Sequence, residues 1–419
     1  MSPAIITLII LAVAAILFVT DKIPCALTAM LVATSLTLFG IMEPAAAFAG
    51  FANSNVILFG AMFIVGGALF ETGMAYKIGK YFAGMAKSER QLMVIVMIIT
   101  CVLSSVLSNT GTVAVLMPVV ISIAAAAGIN RSKVLMTFGF AAGMGGINTL
   151  IGTPACAIAN TNLEQMAGLS LGFFEFGKIG IPLCIAGITF MGLIGYKLVP
   201  ARATGDVVVE SGEKTDVPAW KQWLSLGVIV VAVIGMVFEK QIGIPLYVTG
   251  IVGAIVLLLT GVISEKQAYA AIDMKTIFLT VGMIPMASAL VSTGASKMIA
   301  DTVLGVFGAS PSPTMIIVVM FILTACLTQF MTNNACMTLM APIAIAIAQG
   351  LGASPVAVVM ATLMGANASF LTPIAMTPNT MVYGYGEYKF SDYAKVGFPI
   401  VVLYFIGALV LCPIFWPFF

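Results

Sequence analysis

Four short polar stretches interrupt a chain otherwise built for lipid. They are Ser108-Asn109-Thr110-Gly111-Thr112, the segment IGTPACAIAN from Ile151 to Asn160, Thr332-Asn333-Asn334-Ala335-Cys336, and AMTPNT from Ala375 to Thr380. Their side chains are neutral and rich in oxygen. Ser, Thr and Asn oxygens, together with the carbonyls of unwound backbone, suit a hard monovalent cation such as Na+. Free N–H groups at the start of a helix suit an anion, because the helix dipole presents its positive end there. Both kinds of site arise where a helix breaks, so one motif can serve ion and anion together. Pro154 and Pro378 mark two such breaks, since each removes a backbone donor and disfavours helix at the threonine before it, Thr153 and Thr377.

The missing residue types narrow the chemistry further. The chain has no histidine, and its seven cysteines are scattered without a CxxC pair, which argues against a structural metal site and a disulfide framework. Glu71, Glu164, Glu175, Glu239, Glu265 and the aspartates fall at predicted span ends or in loops. A proton or cation antiporter would usually keep a carboxylate at mid-depth. An intramembrane enzyme would need a nucleophile with a base or a metal. A passive anion channel would need polar residues repeated along several helices, whereas here polarity gathers at two levels. An anion arriving at a neutral site needs a counter-charge, and co-bound Na+ supplies one.

The elements that must hold these stretches follow from composition. The 419 residues are 61% hydrophobic and only 8% charged, with mean hydropathy +1.14. A soluble domain carries about 25% charged residues, so the expectation is an all-α polytopic membrane protein. Runs long enough to span, about 20 residues, lie at 4–20, 24–41, 54–71, 134–164, 179–198, 223–239, 243–262, 275–291, 355–385 and 394–416. Two apolar pairs, 91–107 with 113–128 and 313–331 with 335–350, return the chain to the side it left, whether each is two spans or one re-entrant hairpin. The run from Ala4 to Val19 has neither a basic leader nor a cleavage site and reads as a retained first span. With this count, 15 of the 18 Lys and Arg residues fall on one face, and only Lys178, Lys240 and Lys297 on the other. The rich face is expected to be cytoplasmic and both termini outside. The polar stretch from Arg202 to Gln222 then reads as a cytoplasmic linker. Segments 74–88 and 295–306, with lysines among apolar residues, read as interfacial helices or simple loops.

The two halves repeat. At an offset of 224 residues Ser108-Asn109 falls on Thr332-Asn333, Pro118 on Pro342, Gly128 on Gly352, Met136 on Met360 and Thr153-Pro154 on Thr377-Pro378. At 221, Thr72-Gly73 falls on Thr293-Gly294. Five spans plus one apolar pair per half is an odd crossing number, which turns the second half over. The expected organisation is therefore two inverted repeats, 1–200 and 223–419, joined by the linker 201–222, with binding near the midplane where interrupted helices meet. Recurrence of the polar tip in both halves favours a re-entrant hairpin over a plain turn.

Ser108-Asn109-Thr110 with Thr153-Pro154, and Thr332-Asn333-Asn334 with Thr377-Pro378-Asn379, resemble the paired Ser-Asn-Thr and Thr-Pro signatures of the divalent anion/Na+ symporter family. That family belongs to the wider ion transporter superfamily of dicarboxylate, citrate and sulfate carriers, and the resemblance covers nearly the whole chain. It implies a cell-membrane homodimer, with a scaffold and a mobile transport domain, moving a small anion with Na+ by an elevator mechanism. It also implies a first hairpin open to the cytoplasm, a second open to the outside, and no nucleic-acid partner. By the resemblance Asn109, Thr110, Asn333, Asn334, Thr377 and Pro378 contact substrate carboxylates. Ser104, Ser108 and Asn109 with backbone near Gly152 form one Na+ site, and Thr328, Thr332 and Asn333 with backbone near Ala375 form the other. The substrate implied first is a C4-dicarboxylate. Asn334 departs from the pattern, placing an amide where dicarboxylate carriers have a hydroxyl, so sulfate or another small anion stays open, as does Na+-independent exchange.

Overall fold

The computed structural model describes residues 2–20, 22–83, 85–86, 88–203, 217–307 and 312–418, and among them every regular element is a helix. The 204–216 part of the linker, with Lys214, lies outside the described residues, as does Lys87. Eight of the ten stretches expected to span appear as single helices, among them Pro3–Thr20, Cys25–Leu38, Ser54–Glu71, Gly177–Leu193, Leu246–Leu259 and Met274–Ser292. Among the described residues, five helical stretches are long and apolar enough to cross a bilayer on their own: Pro44–Glu71, Asn109–Ala126, Ala219–Val237, Met274–Ser292 and Phe390–Phe415. The chain is a multi-pass helical membrane protein. The linker is shorter than its polar composition suggests, because helix Ala219–Val237 starts inside it and buries Gln222, whose Oε1 accepts from Lys77 Nζ at 2.6 Å.

Both apolar pairs fold as helical hairpins. The first has arms Glu89–Ser104 and Asn109–Ala126, the second Pro313–Leu327 and Asn333–Gly350. Ser108 and Thr332 cap the inner arms, their hydroxyls accepting from Gly111 N at 3.1 Å and Ala335 N at 3.3 Å. Segments 134–164 and 355–385 are each broken in two. Ser132–Gly146 gives way to Pro154–Ala167, and Pro355–Asn367 to Thr377–Tyr385. Thr153 is extended just before Pro154; in the second copy Met376, one residue before Thr377, takes that role.

These broken helices are the centre of the molecule. Every residue of Pro355–Asn367 is buried, as is all of Ser132–Gly146 except Lys133. Small residues make this possible by letting backbones approach. A Cβ on Gly145 would lie 2.4 Å from the Cys101 carbonyl oxygen. Each broken helix packs against the outer arm of its own hairpin, and Asn333–Gly350 also packs on Pro154–Ala167. The amphipathic helices Met74–Ala83 and Ala295–Phe307 lie against the inner arms of the first and second hairpins.

Around this centre, Cys25–Leu38 packs along Met274–Ser292, and Leu246–Leu259 along Ser54–Glu71. The two crossings use the same residues with sides exchanged, at the 221-residue offset. Gly282 meets Ala29, where a Cβ would lie 2.4 Å from the Ala29 carbonyl carbon, and Gly250 meets Ala61, where a Cβ would lie 3.2 Å from the Ala61 methyl. Gly282→Ala should therefore force the helices apart and cost about 1–3 kcal/mol, read as a lower melting temperature in detergent. Gly250→Ala, where a Cβ would sit tightly at 3.2 Å against a methyl rather than clash with backbone, should cost less.

Candidate functional site

Helix starts, rather than side-chain charges, dominate the central cavity of about 1000 Å3. Its lining includes Ser108, Asn109, Thr110 and Gly111 from the first tip, Thr153-Pro154 from the first break, Thr332, Asn333 and Asn334 from the second tip, and Ala375 to Pro378 from the second break. Each of the four is the N-terminus of a helix. Two more helix starts line the cavity, Pro24-Cys25-Ala26 at the start of Cys25–Leu38 and Asp273 to Thr276 at the start of Met274–Ser292. Six positive dipole ends around one cavity favour an anion inside it.

Ser104, Gly152 and Thr328 do not line the cavity; they stand just behind the tips. Ser104 Oγ lies 2.6 Å from the Asn109 side-chain amide and donates within 2.8 Å of the Ala142 carbonyl. Thr328 Oγ1 repeats both contacts 224 residues later, at 3.0 Å from Asn333 Oδ1 and 2.6 Å from the Ala366 carbonyl. The same amide of Asn109 also lies 3.1 Å from the Gly152 carbonyl and 3.2 Å from that of Ala142. With its nitrogen turned to them it donates to both. With its oxygen turned to them, oxygens crowd together with one hydroxyl proton among them, an arrangement that a bound cation holds together. Neutral oxygens of this kind fit Na+.

The two clusters differ at one position. Asn333 Nδ2 donates to Asn367 Oδ1 at 3.2 Å, which fixes its oxygen toward Thr328. The residue 224 positions before Asn367 is Gly143, so Asn109 has no such partner.

Other residues that hold the site carry no motif. Ser105 and Gln329, again 224 apart, tie the two breaks to the hairpins. Ser105 Oγ accepts from Asn148 Nδ2 at 2.9 Å, and its carbonyl accepts from the Thr149 hydroxyl. Gln329 accepts from Leu371 N at 3.1 Å through Oε1 and donates to the Ala368 carbonyl at 2.9 Å through Nε2. Its own carbonyl accepts from Thr372 Oγ1 at 3.1 Å. A polar residue at matched offsets beside each tip was the available signal.

A family model described as "Citrate transporter" matches residues 15–363 and 233–418, together nearly the whole chain. The chain belongs to the citrate transporter family. It is a membrane transporter, not an enzyme. As a member of this family it is 28% identical to an uncharacterized transporter of Haemophilus influenzae, over 98% of this chain and 91% of that one. It is 22% identical to the sodium-dependent dicarboxylate transporter SdcS of Staphylococcus aureus, over 94% and 84%. The solved structure of the YdaH transporter of Alcanivorax borkumensis superposes with a TM-score of 0.66 at 16% identity, covering 99% of this chain and 98% of that one. That likeness concerns the fold.

Two tests follow from the packing behind the tips. Asn109→Ala and Asn333→Ala should each abolish uptake in proteoliposomes while the protein still elutes as a folded species; uptake like wild type by either would remove the tips from the site. A Cβ at Gly152 would lie 2.5 Å from the Gly146 carbonyl and 3.0 Å from those of Ser104 and Ser105. Gly152→Ala should thus displace the oxygen cluster and raise the half-saturating Na+ concentration on the order of ten-fold or more, measured as Na+-dependent uptake at fixed anion.

Proposed function

We propose that the chain is a Na+-coupled symporter of a small divalent anion, with a C4-dicarboxylate as first substrate. The observation that carries this reading is the meeting of four helix N-termini in one cavity, two at hairpin tips and two at helix breaks, each backed by neutral oxygens and none by a carboxylate of its own. The N-termini attract the anion, and Na+ at the Ser104–Asn109–Gly152 and Thr328–Asn333–Ala375 clusters offsets its charge. Asn109, Thr110, Asn333, Asn334, Thr377 and Pro378, all on the cavity wall, contact the anion; Ser108 and Thr332 complete the ion clusters. The printed name of SdcS, sodium-dependent and dicarboxylate-carrying, supports both halves of the reading.

The remaining organisation belongs to the same proposal. The halves 1–200 and 223–419 are inverted repeats, the hairpins are re-entrant, and the linker is cytoplasmic with both termini outside. The hairpins and broken helices form the mobile unit of an elevator in a homodimer. Recurrence of the hydrogen bonds at offset 224 and of the helix crossings at 221 supports the repeat.

Asn334 favours a second reading, because an amide in place of a hydroxyl adds a donor suited to a compact tetrahedral anion. Uptake of labelled succinate, sulfate and citrate into proteoliposomes, with and without an inward Na+ gradient, tests both. Succinate uptake that requires Na+ is the expected outcome. Sulfate uptake that requires Na+, with no succinate uptake, would transfer the substrate to the second reading. Uptake independent of Na+ would remove the counter-charge role. Asn334→Thr should shift preference toward succinate, read as the ratio of the two uptake rates.

A further inference from the structure

The cavity lining contains two charged side chains among the described residues, Asp273 and Lys275. Asp273 is fully engaged in capping its own helix. Its Oδ1 accepts from the backbone N–H groups of Lys275 at 3.1 Å and Thr276 at 3.3 Å, and its Oδ2 from the Thr276 hydroxyl at 2.6 Å. Its negative charge also rests on the positive end of helix Met274–Ser292, which offsets it. Lys275 is the opposite case: its side chain is exposed, and its ammonium makes no hydrogen bond or ion pair among the described residues. The charge left free to face the cavity is therefore positive.

The corresponding helix start in the first half isolates what this lysine adds. Asn53 caps Ser54–Glu71 by accepting from Asn55 N and Val56 N, 220 residues before Asp273 accepts from Lys275 N and Thr276 N. Counted from the cap, Asn55 stands where Lys275 stands, although the 221-residue register further along the same two helices pairs it with the buried Thr276. Asn55 is buried, and its Nδ2 donates to Thr161 Oγ1 at 3.0 Å on Pro154–Ala167. One helix start is pinned against a broken helix. The other stands away from the second broken helix, with the cavity between them and an unpaired cation on its rim.

We propose that Lys275 captures the anion at the mouth of the cavity and holds it long enough to reach the helix N-termini at the tips. This rests on the anion-carrier reading above. A single positive charge about 8 Å from a dianion in well-hydrated surroundings strengthens its binding about five-fold. Ions in solution screen that gain, so it fades as ionic strength rises. Lys275 is a recruiting residue: it acts on anion affinity and leaves the oxygen clusters for Na+ untouched.

The experiment is equilibrium binding of labelled succinate and of sulfate to the full chain in lipid nanodiscs at fixed Na+, with choline chloride varied. Lys275→Gln should weaken whichever anion wild type binds by about five-fold at low ionic strength, and by little near 1 M salt, where the screening length is about 3 Å. Lys275→Arg should retain wild-type affinity and its salt dependence. Wild-type-like affinity of Lys275→Gln at low ionic strength overturns the assignment while leaving the carrier reading intact. So does a loss that is equal at both ionic strengths or shared by Lys275→Arg, since that marks a packing role. Wild-type protein that binds neither anion with Na+ overturns the carrier reading and the assignment with it.

Discussion

Unwound backbone deep in an apolar protein must find a hydrogen-bond partner for each peptide group, because no lipid or bulk water will supply one. Two breaks sit at the centre of this chain, at 147–153 and 368–376; the first is buried throughout, and the second is buried except at the half-buried Leu371 and the exposed Ile374. Gln329 meets that demand at the second break, pairing with Leu371 N and the Ala368 carbonyl. Ser105 holds the first break through the Asn148 and Thr149 side chains and donates to the Gly145 carbonyl just before it. The rest of the architecture follows from this arrangement. A tip that ties a break cannot lie elsewhere than beside it, so the N-terminus of the inner arm and that of the resumed broken helix face the same space. Two copies of the arrangement, brought together by packing of Asn333–Gly350 on Pro154–Ala167, enclose one cavity.

The copies are alike in their hydrogen bonds and unlike in their surroundings. Ser104 and Thr328 make the same pair of contacts to a tip asparagine and to a broken-helix carbonyl. Yet Asn55 is closed against Thr161 while Lys275, at the same position after its helix cap, is open to the cavity. Sequence repetition fixes the internal geometry of each tip. Which side of the molecule is open depends on how two packed bodies sit against each other, and no local pattern encodes it.

Much of the fold was legible because lipid imposes a simple grammar of length and hydropathy. The broken segments 134–164 and 355–385 stood out as too long for simple spans, and each carries its proline near the observed break. The short helices Pro44–Phe48, Glu239–Ile242 and Glu265–Ala271 were not legible, since a helix of one or two turns shows no period. Of the site, the four polar stretches were readable and the structure gathers them on one cavity. The supporting roles of Ser105, Gln329 and Asn367 were not, because a glutamine that joins the carbonyl at 368 to the N–H at 371 is defined by tertiary proximity. Lys275 carried a readable charge, but in sequence it served only to orient the chain; its cavity position comes from the turn at Asp273.

The Asn367–Gly143 difference makes the two oxygen clusters unequal in preorganisation. At the second cluster the amide oxygen of Asn333 is already aimed, held by Asn367. At the first, the amide of Asn109 is satisfied with its nitrogen turned inward, and admitting a cation requires it to swing through half a turn and give up those bonds. Identical ligands thus carry different reorganisation free energies. On the proposed Na+-coupled reading, the two clusters would fill with unequal affinity and in a preferred order, with the rotation of one asparagine as the slower, weaker step.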